Sequence, residues 1–98
     1  MSLLWKPKSL NMYGSESCAP CHIITPRVEE FAKRNNLPYT YYDVMTPDGA
    51  GEAARAQVQS IPSLEVEDGH GNVLATGIPA IQRLLEDIQI YYITGALG

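Results

Sequence analysis

The chain has 98 residues, 45% apolar and 18% charged, with a net charge of −4; this is the profile of a water-soluble domain able to bury roughly 60–65% of its unfolded surface. The negative balance argues against general nucleic-acid binding, which needs a basic surface. No apolar run approaches the ~20 residues of a membrane span, and Met1 to Leu10 lacks the long apolar stretch and cleavage site of a signal peptide. One domain over 1–98, cytoplasmic and with no nucleic-acid or membrane partner, is therefore expected.

Trp5-Lys6-Pro7-Lys8 reads as an irregular lead-in. Ser9 to Tyr13 follows as a short strand, with Leu10 and Met12 on one face and Asn11 and Tyr13 on the other. Gly14-Ser15-Glu16-Ser17 is a turn that delivers Cys18 to the strand's C-terminal end, where ligands usually meet an open α/β sheet. A first helix is predicted from about Ala19 to Asn35: Ile23, Ile24, Val28 and Phe31 recur at helical spacing, with Glu29, Glu30, Lys33 and Arg34 on the opposite face. Pro20 suits its first turn, whereas Pro26 deletes an internal hydrogen bond and should kink it.

Asn35-Asn36 and Pro38 stop this helix, and Pro38 to Val44, dense in tyrosine, is the second strand. Thr46-Pro47-Asp48 supplies an N-cap, a proline at the first helical position and an acid in the first turn. The short helix it opens, about Pro47 to Gln57, is rich in alanine but weakened by Gly49 and Gly51. Ser60-Ile61-Pro62 is a joint before a third strand, Ser63 to Glu67. Asp68-Gly69-His70-Gly71 is a hairpin turn, with His70 a solvated turn residue, so the fourth strand, Asn72 to Thr76, should return antiparallel. Gly77 breaks the chain, and Ile78, Ile81, Leu85 and Ile88 mark a last amphipathic helix. The core thus spans about 9–88. The apolar tail 89–98 is open between a longer helix, an added strand and a contact surface. The sum is a small α/β sandwich, its first two strands parallel and its last two antiparallel.

The stretch with chemistry in it is Cys18-Ala19-Pro20-Cys21, which holds both cysteines of the chain. Two cysteines three positions apart can close into a disulfide, but so small a loop removes little unfolded-chain entropy. A weakly stabilising disulfide on the only two thiols is better explained by reactivity than by structure. Cys18 also precedes a helix, whose unpaired N–H groups and dipole favour an anion; a thiolate there titrates at roughly 3.5–7.5 instead of about 8.5. The bland alternatives are two reduced structural thiols, or a metal site completed by His22. The second falls short of the four protein ligands of a closed zinc site unless a second subunit shares it.

These residues resemble the thioredoxin/glutaredoxin superfamily over roughly Ser9 to Ile88. Cys18-Ala19-Pro20-Cys21 is similar to the thioredoxin Cys-Gly-Pro-Cys, Pro26 matches the kink proline of the active-site helix, and Val58 to Leu64 resembles the segment that carries the family's cis-proline, here Pro62. There are departures. Ser17 stands where thioredoxins usually have tryptophan, Met12 where they keep a buried acid, and the extra N-terminal strand and helix of a full thioredoxin are missing. Against glutaredoxins, no basic residue precedes Cys18 and the glutathione signature is not evident in Thr76-Gly77-Ile78-Pro79-Ala80. The chain looks like a thioredoxin-type site on a glutaredoxin-sized frame.

The resemblance implies a thioredoxin-like fold, a four-stranded mixed sheet with helices on both faces, and a thiol–disulfide oxidoreductase that reduces protein disulfides. Cys18 would attack the substrate and Cys21 would resolve the mixed disulfide. Pro20, Ile61, Pro62 and Gly77 would bind the substrate segment. No metal or bound cofactor is implied beyond the redox-active Cys18–Cys21 disulfide, and the electron source is either a thioredoxin-reductase-type flavoprotein or glutathione. A glutathione-dependent glutaredoxin and a non-catalytic thioredoxin-like binding module are the competing functions. Tyr39, Tyr41 and Tyr42 read as sheet packing rather than a substrate platform, and His22 as a partly exposed helix residue rather than a base.

Overall fold

The computed structural model describes residues 7–68 and 71–93. Strand β1 (Ser9–Gly14) lies inside a four-stranded sheet, between β2 (Tyr39–Asp43) and β3 (Ser63–Glu67), with β4 (Asn72–Thr76) beyond β3. β1 pairs parallel with β2, Leu10 opposite Tyr39, and antiparallel with β3, Met12 opposite Leu64. β4 returns antiparallel along β3, Leu64 opposite Ala75. The mixed sheet and its strand directions are those expected from the turn and helix signals between the strands.

Alternation along the strands gives the sheet two different faces. Leu10, Met12, Leu64, Val66 and Ala75 point to one face and meet helix α1 (Ala19–Arg34) and helix α3 (Ile78–Ile93) through Ile24, Val28, Phe31, Ile81, Leu85 and Ile88. Their burial forms the apolar core. The other face carries Asn11, Tyr13, Ser63 and Glu65, all buried, and is covered by the short helix α2 (Pro47–Arg55). Tyr42 stacks on Tyr13 there, ring centroids 5.4 Å apart.

Helix ends follow the local chemistry. Thr46 Oγ1 accepts from Gly49 N at 3.0 Å and caps α2, as the Thr-Pro-Asp pattern predicts. Gly49 is a packing requirement as well as a helix weakness, because a Cβ there would stand 1.8 Å from the Asp43 carbonyl oxygen. Helix α1 runs unbroken across Pro26 and ends one residue earlier than its polar pattern suggests. Asn35 Nδ2 donates to the Phe31 carbonyl, and Asn36 turns to a φ of 56° to reverse the chain. Helix α2 ends at Arg55, two residues early, and Gln57 takes a φ of 61°. Helix α3 continues through Ile93, so the first part of the apolar tail is helical; 94–98, like the lead-in up to Lys6 and the turn residues Gly69 and His70, lies outside the described residues. No helix among the described residues is long and apolar enough to cross a membrane.

Candidate active site

β1 ends at Gly14, and the loop after it sets Cys18 as the N-cap of α1, with extended φ −100° and ψ 105°. Cys21 N–H points back and donates to Cys18 Sγ at 3.2 Å, so the first-turn amide that a serine or aspartate cap would satisfy is satisfied here by sulfur. Cys18 and Cys21 form a disulfide with Cα atoms 5.2 Å apart. The two sulfurs differ in access: Cys21 is 2% exposed, and Cys18 is half-buried at the rim.

Cys21 can lie against the sheet because β1 ends in glycine. A Cβ on Gly14 would be 3.2 Å from Cys21 Sγ and 3.2 Å from the Tyr41 hydroxyl, so both groups lean on the same bare backbone position. A cleft of about 200 Å³ opens there, lined by Glu16, Thr25, Glu29 and Tyr41 together with Cys21. Burial, then Asp43, Glu16 and Glu29, push the Tyr41 phenol above its ordinary value. His22 is exposed, and its Nε2 donates to the Glu16 carbonyl at 2.6 Å, tying the loop to the helix.

β3 starts at the sheet end where β1 finishes, Ser63 opposite Tyr13. The Ile61–Pro62 peptide is cis, as the resemblance implies, and Pro62 is buried. Gly77, at φ 90°, donates its N–H to the Pro62 carbonyl at 2.9 Å, so the loop before α3 is fastened to the proline loop. Ser63 Oγ completes the joint, donating to the Ser60 carbonyl at 2.7 Å and meeting Thr76 Oγ1 at 2.8 Å. Of the residues singled out from sequence, Cys18, Pro20 and Cys21 share the first turn of α1, and Ile61, Pro62 and Gly77 share the hairpin end. Pro20 is exposed and Ile61 half-buried.

No family model and no curated protein matches the sequence. Solved structures do match. Thioredoxin 1 from Thermosipho africanus superposes with a TM-score of 0.75 at 16% identity, over 89% of this chain and 97% of that one. The thioredoxin of Fasciola hepatica gives 0.68 at 25% identity, over 86% and 81%. Oxidised thioredoxin O2 from Arabidopsis thaliana gives 0.71 at 18%, over 88% and 76%. The chain has the thioredoxin fold.

Within that thioredoxin-like frame, two features escape a sequence reading that stops at the motif. One is Tyr41, counted as sheet packing, whose hydroxyl reaches the Cys21 cleft. The other is a polar network under α2, centred on Glu65, which is 2% exposed. Arg55 Nη2 donates to Glu65 Oε1 at 2.8 Å, Asn11 Nδ2 at 3.0 Å and the Tyr13 hydroxyl at 3.1 Å, while Asn72 Nδ2 donates to Oε2. Burial alone would raise the Glu65 carboxyl, but the hydrogen bonds from Arg55, Asn11 and Asn72 outweigh it and hold it below the usual carboxylate range. The signal was the alternation Ser63-x-Glu65-x-Glu67, which places two acids on one strand face beside Asn11 and Tyr13. Among the described residues, no group of three or more His, Cys, Asp or Glu is placed to hold a metal ion.

Proposed function

We propose that the protein is a thiol–disulfide oxidoreductase that reduces disulfides in protein substrates. The carrying observation is the asymmetry of the dithiol: Cys18 Sγ sits at the rim as the α1 N-cap with an amide aimed at it, and Cys21 is buried behind it. On reduction, the same amide and the helix dipole favour Cys18 as thiolate. That thiolate attacks one sulfur of the substrate disulfide, forming a mixed disulfide and expelling the other sulfur as thiolate. Cys21, once deprotonated, attacks Cys18 Sγ, regenerates the Cys18–Cys21 disulfide and releases the second substrate thiolate. Pro20, Ile61, Pro62 and Gly77 form the surface against which an extended substrate segment would lie.

A site that holds glutathione needs donors for its carboxylates. Glu16 and Glu29 flank Cys21 instead, and the Gly77 N–H is already bonded to Pro62. These observations favour a thioredoxin-reductase-type flavoprotein, or another dithiol protein, as the electron source. NADPH oxidation coupled to reduction of a disulfide-bonded protein tests both halves. Turnover is expected with thioredoxin reductase and lost in Cys18→Ser; fast turnover only with glutathione and glutathione reductase would make this a glutaredoxin. No turnover with any reductant would leave a binding module.

A further inference from the structure

Resolution of the mixed disulfide requires that Cys21 lose a proton, and this thiol is 2% exposed. Burial raises a thiol's pKa and removes the bulk water that would otherwise take the proton. The opening beside it is the cleft of about 200 Å³, large enough for water. There the Tyr41 hydroxyl and Cys21 Sγ each stand 3.2 Å from the position a Gly14 Cβ would occupy, and so at most twice that distance apart. A span of that size is bridged by one water. Glu29 lines the same cleft from α1, and its carboxylate acts on the hydroxyls of both Tyr39 and Tyr41.

We propose that the Tyr41 hydroxyl relays the Cys21 proton to the Glu29 carboxylate through this cleft. A phenol that stays protonated suits the task, since its oxygen accepts from the thiol while its O–H donates onward. The step balances: Cys21 S–H and Glu29 COO⁻ become Cys21 S⁻ and Glu29 COOH. The thiolate then displaces the substrate sulfur from Cys18, and Glu29 returns its proton to solvent at the exposed end of the cleft. The other charged or titratable groups facing the site are Glu16 and His22 beside Cys21, and Tyr39 and Asp43 on β2. Glu16 and Glu29 put negative charge on the Cys21 side of the site, where it disfavours a second anion.

The inference rests on the oxidoreductase reading, and a stopped-flow reaction of the reduced protein with dithiobis-nitrobenzoate separates the two. Each coloured thiolate release reports one step, attack by Cys18 and then by Cys21; Cys21→Ser must give the first release alone, or the underlying reading fails. In Tyr41→Phe the second release is expected to slow relative to the first by roughly tenfold or more, with its pH profile moved to higher pH. Glu29→Gln should act in the same direction, and it carries the test if Tyr41→Phe does not fold. A ratio of the two rates and a pH profile unchanged in both variants would overturn the relay. So would a His22→Gln variant that reproduced the Tyr41→Phe effect while Glu29→Gln did not.

Discussion

Glu65 shows how a single buried acid can be held in place. Its carboxylate gathers hydrogen bonds from Arg55, Asn11, Tyr13 and Asn72, and Arg55 closes the set by a second bond to Glu52 Oε1 at 2.9 Å. Removing the cation while leaving the buried carboxylate is the damaging change. Breaking a buried pair from one side costs about 3–5 kcal/mol; with Arg55 nearly half exposed, screening reduces this, and Arg55→Met is expected to cost about 2 kcal/mol. Thermal unfolding should show a Tm lower by roughly 10 °C at neutral pH. Because the folded carboxyl is held below its ordinary value, the network's contribution is complete at neutral pH and is lost as the pH falls through and below the usual carboxylate range. The Tm gap between the two proteins should therefore narrow in acid; a constant gap would mean that Arg55 acts by packing alone.

Among the elements, α2 is the one whose glycines have opposite meanings. Gly49 touches the end of β2 so closely that a Cβ would meet Asp43 O and C, whereas a Cβ on Gly51 would meet nothing within 4 Å. Gly51→Ala should stabilise by up to about 1 kcal/mol through helix propensity, and Gly49→Ala should destabilise despite the same propensity gain. Denaturant midpoints of the two variants should move in opposite directions; equal shifts would refute the close approach. The sequence could show that both are glycines inside a helical pattern, not which of them abuts the sheet, because contact is tertiary. Helical spacing of apolar residues located α1 and α3, the Thr46-Pro47-Asp48 cap located α2, and turn signals with strand-forming residues located the strands. The burial of Glu65 was not legible, because its partners Arg55, Asn11 and Asn72 are brought to it by tertiary contact. Tyr41 could not be told from Tyr39 and Tyr42 by spacing; its place beside Cys21 depends on the β1–β2 register and on Gly14 being bare.

At the scale of the whole molecule, the two sheet faces divide the labour. The α1/α3 face holds the apolar core, in which Leu64 and Ile81 are fully buried. Leu64→Ala should cost about 2–5 kcal/mol by denaturant titration; a loss within about 0.5 kcal/mol would mean that the core lies elsewhere. The α2 face carries the polar network, and the two sulfurs lie at the end of β1, where α1 begins and β3 starts just after Pro62, Ser63 opposite Tyr13. This placement makes Cys18 the accessible, helix-capping sulfur and Cys21 the buried one, and the proposed division between attack and resolution depends on that difference. It is measured most directly by alkylating the reduced protein with iodoacetamide across pH and following each cysteine by peptide mass. Cys18 is expected to react first, with a midpoint of roughly 3.5–7.5 and Cys21 protected at neutral pH. Faster modification of Cys21, or a Cys18 that titrates near the ordinary value of about 8.5, would mean that Cys18 is not the attacking sulfur.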